Sequence, residues 1–172
     1  ELLRELCGVN VSLGSVQTLC EETSEALAVP YQGIKEAVAQ ADMVQVDETG
    51  RKEKSKRHWL RVAVTSMATL FLVSCSRGKK ALQELIGEDF QGIVHSDRWS
   101  AYNIVNSTRR QLCWAHLKRD FQALSERKTR AGPLGEWGLR EIKRLFAIWH
   151  RYQAGEINWA VMRWELVPVR TR

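Results

Sequence analysis

No run of about 18 apolar residues occurs in this chain, so no membrane-spanning helix is legible in it. The longest apolar stretch, Met67 to Val73, is broken by Thr69 and reads as a buried strand. The first residues, Glu-Leu-Leu-Arg-Glu, have none of the character of a secretory signal. No initiating Met is present, so the chain reads as a fragment of something longer. Cysteine is sparse and scattered: Cys7, Cys20, Cys75 and Cys113, with no Cys-x-x-Cys pair. That spacing argues against a four-ligand zinc site and against a disulfide framework, and leaves reduced thiols in a cytoplasmic protein as the default. Internal repeats and low-complexity segments are lacking too.

What is present is a chain of 172 residues, which suits one domain or one domain with an appendage. It is 44% hydrophobic and 27% charged, enough to fold around a core and not compositionally disordered. The formal net charge of +6 is unevenly spread: −5 over residues 1–46, +3 over 47–108 and +8 over 109–172. A basic half is the electrostatic footprint of a polyanion partner, and equally the mark of an Arg-rich solvated helical surface.

Residues 2–7 form a short apolar helix candidate, broken at Gly8. Ser15 can cap a helix from Val16, which Pro30 should end, and a further helix should run from about Tyr31 to Gln40. Helix, tight turn, helix is the outline of a helix-turn-helix. Ordinary helical hairpins share that outline, and residues 1–41 are acidic where a phosphate-contacting segment should be basic. The period then changes. Met43 to Asp47 is a strand candidate, Glu48-Thr49-Gly50 a turn, and Arg51 to Arg57 a basic loop. Trp59 to Val64 and Thr69 to Ser74 read as strands, only four residues apart, so an antiparallel meander is expected. A helix should follow over Lys79 to Ile86, closed by Gly87. Gly92 to His95 is a fourth strand that crosses back over that helix to lie parallel to the first. A helical turn near Ser100 to Asn103, a short strand Gln111 to Cys113 and a helix from Trp114 to about Leu124 complete the pattern.

This is the strand order of an α/β, ribonuclease-H-like fold: a mixed five-stranded sheet with flanking helices. The expected organisation is an N-terminal helical segment over 1–41, the core over 42–130 and a truncated helical insertion over 131–172. In the last, Leu139, Ile142, Leu145, Phe146 and Trp149 recur at helical spacing.

Asp47 and Asp97 carry the chemistry. If their strands are parallel neighbours, both carboxylates leave the same carboxyl edge of the sheet, where ligands sit in such folds. Two carboxylates pushed together repel unless a cation sits between them. Mg²⁺ or Mn²⁺ suits oxygen ligands, and two ions roughly 3.5–4 Å apart clamp the attacking and leaving oxygens of a phosphodiester. Taken singly, Asp47 could cap a turn and Asp97 a helix; two acids at matching positions favour the metal. The basic cluster Arg51, Lys52, Lys54, Lys56 and Arg57 is either a solvated loop or a guide for a DNA backbone. Lys118 and Arg119 offer a similar surface further on. His116 reads either as a structural histidine or as an accessory group near phosphate or a metal-bound water. The role of Cys113, three residues before it, stays open.

Several motifs together resemble the insertion-sequence 66 family of bacterial transposases. They are Val46-Asp47-Glu48-Thr49-Gly50, His58-Trp59-Leu60, His95-Ser96-Asp97-Arg98 with Ala101-Tyr102, and Gln111 through Phe121 with its Cys-Trp-Ala-His element. The resemblance covers nearly the whole chain in the right order. It implies a DDE-type mechanism, with Asp47 and Asp97 as the first two acids, two divalent ions in the complete enzyme, DNA as partner and self-association in a transposition complex. The family's third acid, a Glu in an Asn-x-x-Ala-Glu-Arg type segment, has no counterpart in this chain, nor does its upstream cysteine-rich element. Glu48, Glu126, Glu136, Glu141, Glu156 and Glu165 are not matched to that Glu. The leading expectation is therefore part of a DNA transposase. Its rivals are a catalytically dead DNA-binding or assembly remnant and an ordinary ribonuclease-H-like nuclease.

Overall fold

The computed structural model describes residues 2–170. It divides into two compact units, residues 1–111 and 112–172.

The first unit opens with α1 (Leu2–Cys7), stopped by Gly8 at φ +66°, a left-handed conformation in which glycine carries no Cβ penalty. Helix α2 then runs unbroken over Leu13–Ala39. Ser12, not Ser15, is its N-cap, accepting the Ser15 amide at 3.0 Å. Pro30 lies inside the helix rather than at its end, so the two helices expected on either side of it are one. A proline within a helix forfeits a hydrogen bond and crowds the preceding turn, at about 3 kcal/mol. Tertiary anchoring beyond the proline offsets this: Val38 is wholly buried in the core, and the Tyr31 hydroxyl reaches the Phe71 carbonyl at 3.4 Å.

The sheet comprises β1 (Met43–Glu53), β2 (Lys56–Val64), β3 (Thr69–Ser74), β4 (Ile93–Ser96) and β5 (Arg110–Leu112), in the order β3-β2-β1-β4-β5. Strands β1, β2 and β3 form the antiparallel meander, and β4 lies parallel to β1 after crossing over α3 (Lys79–Ile86). This is the ribonuclease-H-like arrangement read from the sequence. One local expectation fails. Glu48-Thr49-Gly50 does not turn; β1 continues to Glu53, and the reversal moves to Lys54 and Ser55, with Lys54 at φ 52°. The ladder explains it. Every residue from Gln45 to Glu53 faces a partner on β2, and Gly50 fits because the Trp59 ring lies over it, 3.0 Å from where a Cβ would stand.

Alternation along β1 sorts its side chains. Val44 and Val46 point into the core with Ala63, Leu70, Leu82, Leu85, Ile86, Val94 and Tyr102. Helix α3 covers this face because Ala81, Leu82, Leu85 and Ile86 recur at helical spacing, and Gly87 at φ +93° closes it. Each large aliphatic side chain so buried stabilises the fold by about 1.5–3 kcal/mol. The opposite face is open: Asp47 is exposed, in one cross-strand row with Val62 and Phe71.

The second unit contains α4 (Trp114–Ser125), α5 (Gly132–Gln153) and α6 (Trp159–Arg170). Helices α4 and α5 approach closely at glycines: a Cβ on Gly135 would lie 2.2 Å from the Ser125 amide nitrogen, and one on Gly138 2.3 Å from the Phe121 ring. In a solvated helix Gly→Ala stabilises by about 1 kcal/mol. Here the sign should reverse. Gly135→Ala is expected to destabilise by about 1–3 kcal/mol through overpacking. A urea midpoint that rises in this variant would contradict the packing described.

Candidate active site

The parallel register between β1 and β4 pairs Met43 with Ile93, Val44 with Val94 and Gln45 with His95. Carried on by two residues, that register sets Asp47 level with Asp97, the residue that follows β4. Asp47 thus lies within a long strand rather than at its end, while Asp97 follows the end of β4.

Each carboxylate has a local backbone partner. Asp47 Oδ1 accepts the Glu48 amide at 2.8 Å, and Asp97 Oδ1 accepts the Trp99 amide at 2.8 Å, leading into the 3-10 turn Ser100–Ile104. Asp97 thus closes a turn two residues long ahead of that segment, whose N-cap is Trp99 and not Asp97. Its other oxygen, Oδ2, stands 3.8 Å from Arg77 Nη2.

Glu48, next to Asp47, points the other way, onto the covered face. Its side chain is 1% exposed, and a buried carboxylate needs partners. It has them: Arg77 Nε donates to Oε1 at 2.7 Å, and the Tyr102 hydroxyl donates to Oε2. Burial first, and then the hydrogen bond to Glu48, push the Tyr102 phenol far above its ordinary range, so it stays protonated and donates. Across the ladder Glu48 faces Arg61, itself wholly buried, whose Nη2 donates to the Gly78 carbonyl at 3.2 Å. The Arg77 guanidinium sits near the rings of Trp59 and Trp99, 4.8 and 3.9 Å from their centroids. Arg110, on β5, donates to the Asp97 carbonyl at 3.0 Å and lies 5.9 Å from the Tyr102 ring centroid. The motifs thus meet in space. Gly50 makes room for Trp59, Trp59 flanks Arg77, and Arg77 joins Glu48 to Asp97.

Glu48, Arg77, Tyr102 and Arg110 have no assigned role in the sequence reading. One signal was available: alternation puts Glu48 in the same row as Val44 and Val46, and an acid in a buried row demands a cation. Which cation, the sequence does not say.

The basic segment Arg51 to Arg57 is the end of the β1–β2 hairpin, and its charges divide between two faces. Arg51 and Lys56 share the Asp47 side; Lys52 and Arg57 share the other, where Arg57 lies 5.6 Å from the Trp59 ring centroid. All four, and Lys54 at the tip, are exposed. His116, Lys118 and Arg119 lie on α4 in the second unit, His116 half-buried and the two cations exposed. Cys113 precedes that helix as a half-buried free thiol.

Among the described residues no group of three or more His, Cys, Asp or Glu side chains could hold a metal ion. Asp47 and Asp97 are a two-carboxylate set at an open edge. Such a set fits a hard divalent ion that keeps several waters, as Mg²⁺ does, and does not form a closed protein cage. No helix among the described residues is long and apolar enough to cross a membrane.

The model of a family described as Transposase IS66 family matches residues 1–166. No curated protein matches the chain. Among solved structures, the HTLV-2 integrase catalytic core domain in complex with magnesium (trimeric form) is similar at 14% identity. The match covers 58% of this chain and 83% of that one, with a TM-score of 0.34.

Proposed function

This chain belongs to the IS66 family of transposases, and from that premise we propose that Asp47 and Asp97 are two of the metal-binding acids of a DNA-cutting and DNA-joining core. The observation that supports the reading is the parallel register of β1 and β4, which pairs Gln45 with His95 and, carried on two residues, brings Asp47 level with Asp97. In the complete enzyme these carboxylates would hold Mg²⁺ or Mn²⁺, two ions in all. When bound, such ions activate the attacking oxygen and stabilise charge on the leaving one. The cut frees a 3′-hydroxyl at the transposon end, and that hydroxyl then attacks a phosphodiester of the target DNA, displacing the target's own 3′-oxygen. Arg51 and Lys56 bind the backbone on the Asp47 side of the hairpin; Lys52, Lys54 and Arg57 add charge around its end. Lys118 and Arg119 hold DNA on the second unit, with His116 as an accessory group. Copies of the enzyme assemble on the paired ends.

A second reading applies to these 172 residues taken alone: a DNA-binding part without a competent two-metal site. The lack of a third acid near Asp47 and Asp97, among the described residues, favours it over a self-sufficient nuclease.

Calorimetric titration with Mn²⁺ tests the site. The chain should bind one ion weakly. Asp47→Ala and Asp97→Ala should each weaken that binding by at least about tenfold, since even indirect partners of a metal are worth about 10–100-fold. Equal affinity in all three proteins would remove both aspartates from the site.

A further inference from the structure

We propose that Arg77 is a positioning residue of the metal site: anchored on Glu48, its guanidinium occupies the cation's place beside Asp97 until a divalent ion takes it. This rests on the metal-site reading of Asp47 and Asp97 given above.

The geometry is unequal in an informative way. Arg77 Nε is held at 2.7 Å by Glu48, a hydrogen-bonded ion pair on a carboxylate that is itself fixed by Tyr102. Its Nη2 stands 3.8 Å from Asp97 Oδ2, close enough for attraction and too far for a hydrogen bond. The guanidinium's flat fork lets one cation serve two acids from different edges. Trp59 and Trp99 keep it seated whichever acid it serves. Arg77 can therefore surrender Asp97 without leaving its place.

A reason for such a device lies in the charges. Two neighbouring carboxylates at one level of a sheet repel when no metal is bound. Arg77 relieves that repulsion and keeps Asp97 directed, at the cost of competing with the incoming ion. Glu48 limits the competition by drawing the guanidinium towards itself. The residue after Asp47 thus tunes the site without being a ligand of it.

Opposite effects are expected from the two partners of one ion pair. Arg77→Gln removes the competing charge and should tighten Mn²⁺ binding by roughly three- to tenfold, because a unit charge about 4 Å from a ligand oxygen acts strongly near a protein surface. Glu48→Gln frees Arg77 for Asp97 and should weaken binding by a similar factor. A purely structural role would weaken both. Glu48 is buried, so its variant must first pass circular dichroism and urea unfolding. Should it not fold, Arg77→Met replaces it: the charge goes with the stem kept, and Mn²⁺ affinity should rise as it does in Arg77→Gln. Weakened binding in both Arg77 variants, or shifts of one sign in Arg77→Gln and Glu48→Gln, would overturn the proposal. Asp47→Ala is the control: if the parent binds no Mn²⁺, or binds it equally after Asp47→Ala, the metal-site reading itself fails and takes this one with it.

Discussion

Incubated with labelled transposon-end DNA and Mn²⁺, these 172 residues should neither cut nor join the ends. Asp47 and Asp97 can attract one ion, but a second ion beside the leaving oxygen needs another carboxylate. Four glutamates have other partners within their own unit. Glu48 is turned to the covered face and held by Arg77 and Tyr102. On the second unit, Glu126 accepts from Gln122, while Glu156 and Glu165 pair with Arg151. Metal stabilisation of the transition state is worth several kcal/mol, and each ~1.4 kcal/mol is tenfold in rate, so activity should fall by about a thousandfold or more. The decisive comparison is with Asp47→Ala in the same assay. Cleavage clear in the parent and lost in the variant would show that an acid within the chain, such as Glu126 or Glu136, completes the site.

DNA binding should survive this deficit and should collapse with salt. Each phosphate contact contributes about −0.9 to the slope of log affinity against log salt, so the five hairpin cations Arg51, Lys52, Lys54, Lys56 and Arg57 give a slope of about −4.5. Between about 50 and 200 mM salt, affinity then falls on the order of 500-fold. The net +8 of residues 109–172 can only steepen this. Replacing Lys52, Lys54 and Lys56 with Ala should flatten the slope by about 2.7, alike for different duplex sequences, because phosphate contacts carry no base information. Fluorescence anisotropy across a salt series measures it. Binding indifferent to salt, or a slope untouched by the triple substitution, would remove the hairpin from the DNA interface.

Short-range patterning made much of the fold legible. Strand β3 and helix α3 lie where β-branched runs and helical spacing put them, Thr69–Ser74 and Lys79–Ile86. The crossover over α3 made β4 parallel to β1, and the register that pairs Gln45 with His95, carried on two residues, sets Asp47 and Asp97 level. Local signals failed where a distant partner outweighed them. Pro30 reads as a stop, but burial of Val38 carries the helix through it. Glu48-Thr49-Gly50 reads as a turn, but the β2 ladder and the Trp59 ring hold it extended.

The sequence by itself determined the alternation that buries Val44 and Val46, the strand that stops just before Asp97, the basic hairpin tip and the family to which its motifs belong. These follow from periodicity, turn chemistry and residue type, which act over a few neighbours. Only the tertiary structure decided what Glu48 does. Its partners Arg77 and Tyr102 stand 29 and 54 residues away, on a loop after β3 and a turn after β4. A buried acid announces that it needs a cation; only the folded sheet, by fixing which loops converge at its carboxyl edge, determines which one it receives and that the same cation also faces Asp97.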